Sequence, residues 1–373
     1  MRVSQTVFTG DELGIPPSQP ADLVLVFAGP GRLDRDTARR LGASYPGAAI
    51  IGCSTAGEIA GTRVLDRAIV ATAVKFDRTK VRSARAAISG VTSREAGREL
   101  AAALAGPDLT HVFVLSDGLT VNGSELVKGL TEGLPRGVSI TGGLSGDGDR
   151  FQETSVLVGG VVSSGQVAAV GFYGSALKVG CGSLGGWDAF GPDRIVTRSE
   201  GNVLYELDGR SALQLYREYL GDHAAGLPAT GLLFPLSLRT REGAEPVVRT
   251  ILGVDEASQS LTFAGDVPTG SYARLMMANI DRLIEGAAGA ARVVARPGDA
   301  CPRPALAILV SCVGRRLVLG QRTEEEVEAV REVVGDEAVL TGFYSYGEIS
   351  PFTPAARCEL HNQTMTITTF TEC

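Results

Sequence analysis

The chain has 373 residues, a net charge of −7 and an isoelectric point near 5.2, with 44% hydrophobic and 21% charged residues. An acidic chain without a dense Lys/Arg cluster lacks the basic stripe that phosphate neutralisation needs, which argues against nucleic acids and anionic membrane surfaces as partners. The N-terminus MRVSQTVFTGDELG does not have the layout of a signal peptide, and no uninterrupted apolar run approaches the roughly 18 residues of a spanning helix, so a soluble, cytoplasmic protein is expected.

At roughly 100 to 200 residues per domain, the length suggests two domains. The 48 glycines exceed the average usage of about 7% and call for many tight turns. Six cysteines (Cys53, Cys181, Cys301, Cys312, Cys358, Cys373) are scattered without a C-x-x-C pair. Neither a zinc site nor a disulfide framework is signalled, and buried reduced thiols are expected.

Along the chain a buried strand, a small-residue turn and a helix recur. Leu23 to Phe27 is apolar and stops at Gly29-Pro30-Gly31, after which Asp34 is placed to cap a short helix through Leu41, with Ala48 to Ile51 following as a strand. The theme returns at THVFVLSDG (110–118). There Asn122 with Glu125 three residues on reads as a helix cap, Leu126, Val127, Leu130 and Leu134 form a stripe, and a strand near Val138 to Ile140 runs into the glycine turn TGGLSGDGD (141–149). The third instance is PALAILVSCVGRR (304–316), whose buried strand Leu306 to Val310 precedes a capping box at Thr323 and Glu326 and a helical face at Val327, Val330 and Val334.

Each unit is followed by alternating, β-rich sequence: 67–76, 155–174 with a turn at Ser163 to Gly165, and 358–370 with a turn near Asn362. Crossovers through a helix demand parallel pairing and hairpins demand antiparallel pairing. The predicted fold class is therefore α/β, two domains of mixed sheets with helices packed on them and a partial internal repeat. The segment GCGSLGGWDAFGPDR has little helical or strand period, which suggests domains over 1–180 and 195–373 with a glycine-rich joint over 181–194. Helices are predicted over 208–221 and 271–292, the latter presenting Leu275, Met276, Asn279, Ile280, Leu283 and Ile284 on adjoining faces, with short strands between them at 247–252 and 261–263.

Two of the glycine turns are copies. IGCSTAGEIA (51–60) and TGFYSYGEIS (341–350) share G-x-x-[ST]-x-G-E-I, and both follow strands, whose carboxyl ends are where open α/β sheets bind ligands. The glycines permit positive φ, the hydroxyl of Thr55 or Ser345 can satisfy a loop N–H, and Ile59 or Ile349 returns to the core. Glu58 and Glu348 remain, either to accept from a ligand ammonium or to bond their own loop's amides and lock the turn.

The motifs ILVSCVGR (308–315), GFYSYGEIS (342–350) and ELHNQT (359–364) resemble the FIST C domain, and LVLVF, IIGCSTAGEI and SITGGLSGDG resemble FIST N, so that the resemblance runs from about residue 20 to 370. The name stands for F-box and intracellular signal transduction proteins. The resemblance implies a cytoplasmic sensory module that binds a small ligand, an amino acid being the usual suggestion, and some proteins with this domain are described as haem-binding nitric oxide sensors. Two departures stand out. The stretch between Thr9 and Leu23 is too short and proline-rich for a full helix, and no kinase, helix-turn-helix or cyclase segment is attached, so output would pass to a separate protein such as a histidine kinase or cyclase-type effector.

Residue chemistry then suggests a pocket. An amino acid needs an anion site and a cation site side by side, which Arg315 and Glu348 would provide, with Tyr344 and Tyr346 as aromatic walls. Ser345, Ser311, Gly314, Glu58, Thr55 and Ser54 complete the candidate set; the alternative for the charged pair is a structural ion pair with no ligand. A nucleophile reading of Cys312 or Cys53 lacks a G-x-S-x-G elbow and an evident base other than His361. No cofactor is expected; in the haem alternative His361 would be the axial ligand, His111 opening a buried strand and His223 following a helix. Asp117 and Asn122 read as capping residues rather than metal ligands.

Overall fold

A computed structural model describes residues 1–10, 19–227, 229–240, 246–294, 303–351 and 357–373. The shortened region expected before the first core strand falls partly at 11–18, outside the described residues.

Three successive units build the body. The first contains β1 (Arg2–Phe8), β2 (Leu23–Ala28), α1 (Arg35–Ser44), β3 (Ala49–Ser54), the hairpin β4 (Glu58–Ala60) and β5 (Arg63–Leu65), and β6 (Ile69–Lys75). The second contains β7 (Lys80–Ala87), α2 (Ser93–Leu104), β8 (Leu109–Ser116), α3 (Gly123–Gly133), β9 (Ser139–Leu144), the hairpin β10 (Val156–Val158) and β11 (Val161–Ser163), and β12 (Gln166–Tyr173). After β13 (Leu177–Leu184) an inserted domain intervenes, with strands from β14 (Asp188–Glu200) to β21 (Tyr272–Met277) and helix α4 (Ala212–Leu220). The third unit then resumes with α5 (Ile280–Val294), β22 (Leu306–Cys312), α6 (Val313–Leu319), α7 (Thr323–Val334), β23 (Val339–Ser345), the hairpin β24 (Gly347–Pro351) and β25 (Cys358–His361), and β26 (Met365–Glu372).

The three six-stranded sheets share one order: β1-β6-β2-β3-β10-β11, β7-β12-β8-β9-β24-β25 and β13-β26-β22-β23-β4-β5. In each, the two strands joined through a helix are parallel, as β2 with β3, β8 with β9 and β22 with β23. Each outer hairpin comes from a different unit. The first unit's hairpin pairs with β23, the third unit's with β9, and the second unit's with β3.

The registers repeat as well. Ile59 lies opposite Gly342, Ile349 opposite Gly142 and Leu157 opposite Gly52. At all three glycines a Cβ would collide with a carbonyl of the neighbouring parallel strand, that of Leu309, Val114 or Val26. The duplicated motif is therefore two of three equivalent crossovers from one sheet to another. The third is the SGDGD turn, which carries no GEI.

Local chemistry explains the helices. Asp34 Oδ1 accepts from the Thr37 amide at 2.7 Å, Asn122 Oδ1 accepts from that of Glu125 at 3.1 Å, and Thr92 with Glu95 forms a reciprocal capping box. The inner faces of the three sheets meet in a shared core that includes Phe27, Phe113, Phe172, Ile308, Phe343 and Phe370. The inserted domain has its own core around Leu204, Tyr216, Leu236 and Phe263. The protein is thus α/β, with a three-sheet body and an inserted second domain.

Two expected elements differ. The glycine-rich segment 181–194 falls in β13 and β14 and the three residues between them, and Gly182 serves close packing, lying against the Ala290 carbonyl and Val293 of α5. The helix expected over 271–292 begins only at Ile280, because Ala273 and Leu275 point inward with exposed Arg274 between them, a period of two that pairs β21 with β14. Cys53, Cys181, Cys312 and Cys358 are free thiols, whereas Cys373 is disulfide-bonded where a reduced thiol was expected.

Candidate functional site

Arg315 on α6 is fully buried. Its Nε and Nη2 donate to Glu326 Oε2 at 3.0 and 2.7 Å, Nη2 also donates to the Leu283 carbonyl at 2.8 Å, and Nη1 donates to the Gly185 carbonyl. Glu326 Oε1 accepts from Ser311 Oγ at 2.9 Å and from the Tyr344 hydroxyl at 2.7 Å. The expected capping box is replaced by this network: Thr323 donates its hydroxyl to the Gly320 carbonyl, and Glu326 is the buried counter-charge of Arg315.

Glu348 is equally enclosed. Its Oε1 accepts from Ser345 Oγ at 2.5 Å, and its Oε2 accepts from the Thr364 hydroxyl and amide at 3.0 and 3.2 Å. Burial pushes its carboxyl up to about 8, against these bonds and the charge of Arg315. Glu58 repeats the arrangement, accepting from the Thr55 hydroxyl and from the Ala68 amide at 2.8 Å, and burial raises it to about 7. Each glutamate therefore ties its crossover to the turn before the last strand of its own unit. In the third crossover the buried carboxylate is Asp147, which braces the crossover itself, accepting from the amides of Phe151, Gln152 and Glu153 at 2.9, 3.0 and 2.9 Å and from the Tyr346 hydroxyl. The turn before β12 is tied instead by Asp117, whose Oδ2 accepts from the Gly165 amide at 3.0 Å.

The Arg315–Glu348 zwitterion site is thereby corrected. Both groups are engaged by partners from within the protein, and both are buried beneath packed side chains. Tyr344 and Ser311 belong to the Glu326 network, Ser345 to the Glu348 lock, and Gly314 packs against the Gln363 side chain. Ser54 Oγ accepts from the Ser155 amide at 2.9 Å. Only Thr55, Glu58 and Tyr346 of the expected set line the clefts described here.

The cleft with exposed chemistry lies one residue further on, at Arg316. Two adjoining pockets of about 490 and 320 Å³ share Ala56, Asp66, Gly148, Asp149 and Arg316, so that all three units contribute to one opening. Successive residues on a helix point about 100° apart. Arg315 accordingly enters the core, and Arg316 reaches the first crossover.

Its Nη1 donates to the Ala56 carbonyl and its Nη2 to Asp66 Oδ1 at 2.8 Å, with the guanidinium 5.6 Å from the Tyr344 ring centre. Gly57, at φ +134°, is required here, since a Cβ would stand 2.6 Å from Arg316 Nη1. The Arg316 side chain is 22% exposed and that of Asp66 74%. Around them stand Arg67, which makes no hydrogen bond or ion pair among the described residues, and the exposed carboxylates of Asp149 and Glu324. The opening thus offers a guanidinium with an exchangeable partner and carboxylates nearby. The Arg-Arg dipeptide was the available signal, but only the phase of α6 shows which arginine faces out.

The histidine expected to ligate haem in that alternative, His361, is not presented to a cleft, nor is His111. His361 is buried inside the ladder between β24 and β25, its Nε2 lies 2.7 Å from the Ser350 carbonyl, and burial lowers it to about 4. His111 is held between Ser139 and Thr141 in the core and lowered to about 3 by burial. Among the described residues no group of three or more His, Cys, Asp or Glu could hold a metal ion. The Cys312 thiol is buried and pushed up to about 12 by desolvation and by the charge of Glu348, and burial also holds Cys53 well above its ordinary value, so neither is an activated nucleophile.

A body of three exchanged α/β units with ligand-sized clefts at the crossovers defines the class. The FIST N domain matches residues 22–210 and the FIST C domain residues 212–351, so the chain belongs to the FIST family, whose domains are signal-transduction sensory domains. It is 28% identical to an uncharacterized Mycobacterium bovis protein over 279 residues, 70% of this chain and 67% of that one. It is 26% identical to an uncharacterized Mycobacterium tuberculosis protein over 359 residues, 88% and 85% of the two chains. A crystal structure of a chorismatase aligns with 10% identity over 99% of this chain and 98% of that chain, at a TM-score of 0.37. No helix among the described residues is long and apolar enough to cross a membrane.

Proposed function

We propose that the protein is a non-enzymatic cytoplasmic sensor that binds a small zwitterion or carboxylate, an amino acid being the leading candidate, in the cleft at Arg316. The reading rests on one observation, a half-buried guanidinium at a three-unit junction, anchored by the Ala56 carbonyl and paired with one exposed carboxylate, that of Asp66. A ligand carboxylate would replace Asp66 on the fork of Arg316, and the released Asp66, with Asp149 and Glu324, would face the ligand ammonium. Loops from all three units would close on one molecule, and the change would be passed to a separate signalling protein such as a histidine kinase or cyclase-type effector.

A thermal-shift screen of amino acids and small carboxylates, followed by calorimetry, tests this. A ligand at 100 times its dissociation constant stabilises by about 2.7 kcal/mol. Arg316→Ala is expected to weaken the best ligand at least tenfold while leaving the ligand-free unfolding midpoint nearly unchanged. Equal binding by wild type and variant would remove the cleft from consideration.

A further inference from the structure

The crossover cleft at Arg316 has a counterpart of opposite character. By the parallel registers Val114 is equivalent to Leu309, opposite Gly142 and Gly342, and Tyr346 holds the place of Ala56 before Gly347 and Gly57. The counterpart is therefore the opening between the start of α3 and the third unit's crossover, about 240 Å³ in volume. Its far side is closed by the inserted domain, through Asn202, Leu252 and Phe263.

Among the described residues, no charged side chain lines this second cleft. One wall is an aromatic pair, Phe151 stacked on Tyr346 with centroids 4.4 Å apart and planes 15° from parallel. Phe151 sits at φ 52°, a left-handed conformation that a bulky residue adopts only under constraint. The constraint is visible: its amide donates to Asp147 Oδ1 at 2.9 Å and to the Tyr346 hydroxyl at 3.3 Å. At the opening Leu119 and Leu252 remain 39% and 40% exposed. Asn202 Nδ2 donates to the Phe263 carbonyl at 2.8 Å, which leaves its Oδ1 as an acceptor with no partner among the described residues.

We propose that this cleft is a second binding site, for a small neutral molecule with a flat aromatic ring and one N–H or O–H donor. The ring packs on the Phe151–Tyr346 pair and between the leucines, and the donor meets Asn202 Oδ1. An ion is rejected because it would lose water without gaining a counter-charge. Since the walls belong to both the body and the inserted domain, occupancy fixes one against the other, independently of what binds at Arg316.

The test uses the full chain with indole, a neutral ring carrying an N–H, and benzoate, an anion of similar size, followed by ligand-observed NMR and calorimetry. Indole is expected to saturate one site from which benzoate does not displace it. Leu252→Trp, which fills the opening, and Asn202→Ala, which removes the acceptor, should each weaken indole at least tenfold with the circular-dichroism spectrum retained. Should Asn202→Ala fail to fold, Leu252→Trp at its exposed position decides alone. Absence of saturable indole binding, unchanged affinity in the folded variants, or displacement by benzoate overturns the proposal.

Discussion

Removing the Arg315 guanidinium would leave Glu326 charged in the core with its strongest partner gone. Arg315→Met is accordingly expected to destabilise the fold by about 3–5 kcal/mol, read by chemical denaturation, whereas the partly exposed pair of Arg316 with Asp66 contributes about 1 kcal/mol or less. Titration adds a second residue-scale prediction. Glu348 is raised from 4.5 to about 8 and Glu58 to about 7, so the folded state holds protons that the unfolded state releases, and the stability they contribute is full below pH 4.5 and lost as pH rises through those values. The buried His111 and His361 act oppositely, from 6.5 down to about 3 and 4, and their contribution is lost only as pH falls. Between pH 6.5 and 8 the carboxyls act alone among these four groups. The melting temperature should fall across that window, and Glu348→Gln should flatten the fall; an unflattened slope would assign the titration elsewhere. At this scale the sequence presented both arginines and both glutamates, but which arginine faces the cleft depends on helix phase, and the burial of both glutamates depends on distant partners such as Thr364 and Ala68.

Among elements, the crossover glycines are the least replaceable positions. Gly52, Gly142 and Gly342 each abut a carbonyl of the adjacent parallel strand, so alanine at any of them forces backbone apart and should sharply reduce soluble yield. Gly137→Ala, at φ +93° with nothing within 4 Å of the added carbon, should cost only about 1–2 kcal/mol, measured as a shift in denaturation midpoint. The buried strands, the Asp34 and Asn122 caps and the positions of the turns at 163–165 and near Asn362 were legible from local pattern, because those signals lie within a few residues of what they specify. The turn at 163–165, expected to close a hairpin, instead carries the chain from one sheet to another, as does the one near Asn362. The kinship of the third crossover was not legible, since Val156 stands where the other two carry Glu58 and Glu348, and its turn lacks the GEI sequence.

On the scale of the whole molecule, Asp188 and Met277 are opposite one another in the ladder of β14 with β21, so the inserted domain enters and leaves the body at one place. Replacing 188–277 by a short glycine-serine link should leave the three-sheet body folded, with its far-UV spectrum and a cooperative melt. Loss of both would show that the contacts of Arg249 with the Leu360 carbonyl and of Asp266 with Asn122 and Lys128 are indispensable. The strand-helix-strand units could be read from the sequence, but not the exchange of hairpins among them, because pairing between residues nearly 300 positions apart leaves no local periodicity. That exchange bears on how the chain is made. The segment 58–60 leaves the ribosome long before 341–343, the stretch it must pair with, so one edge of the nascent protein waits uncovered until about 280 further residues have been made. A premature stop just before residue 341 would therefore strand the earliest translated portion, and chaperone dependence should be greatest in the interval before 341–343 is made.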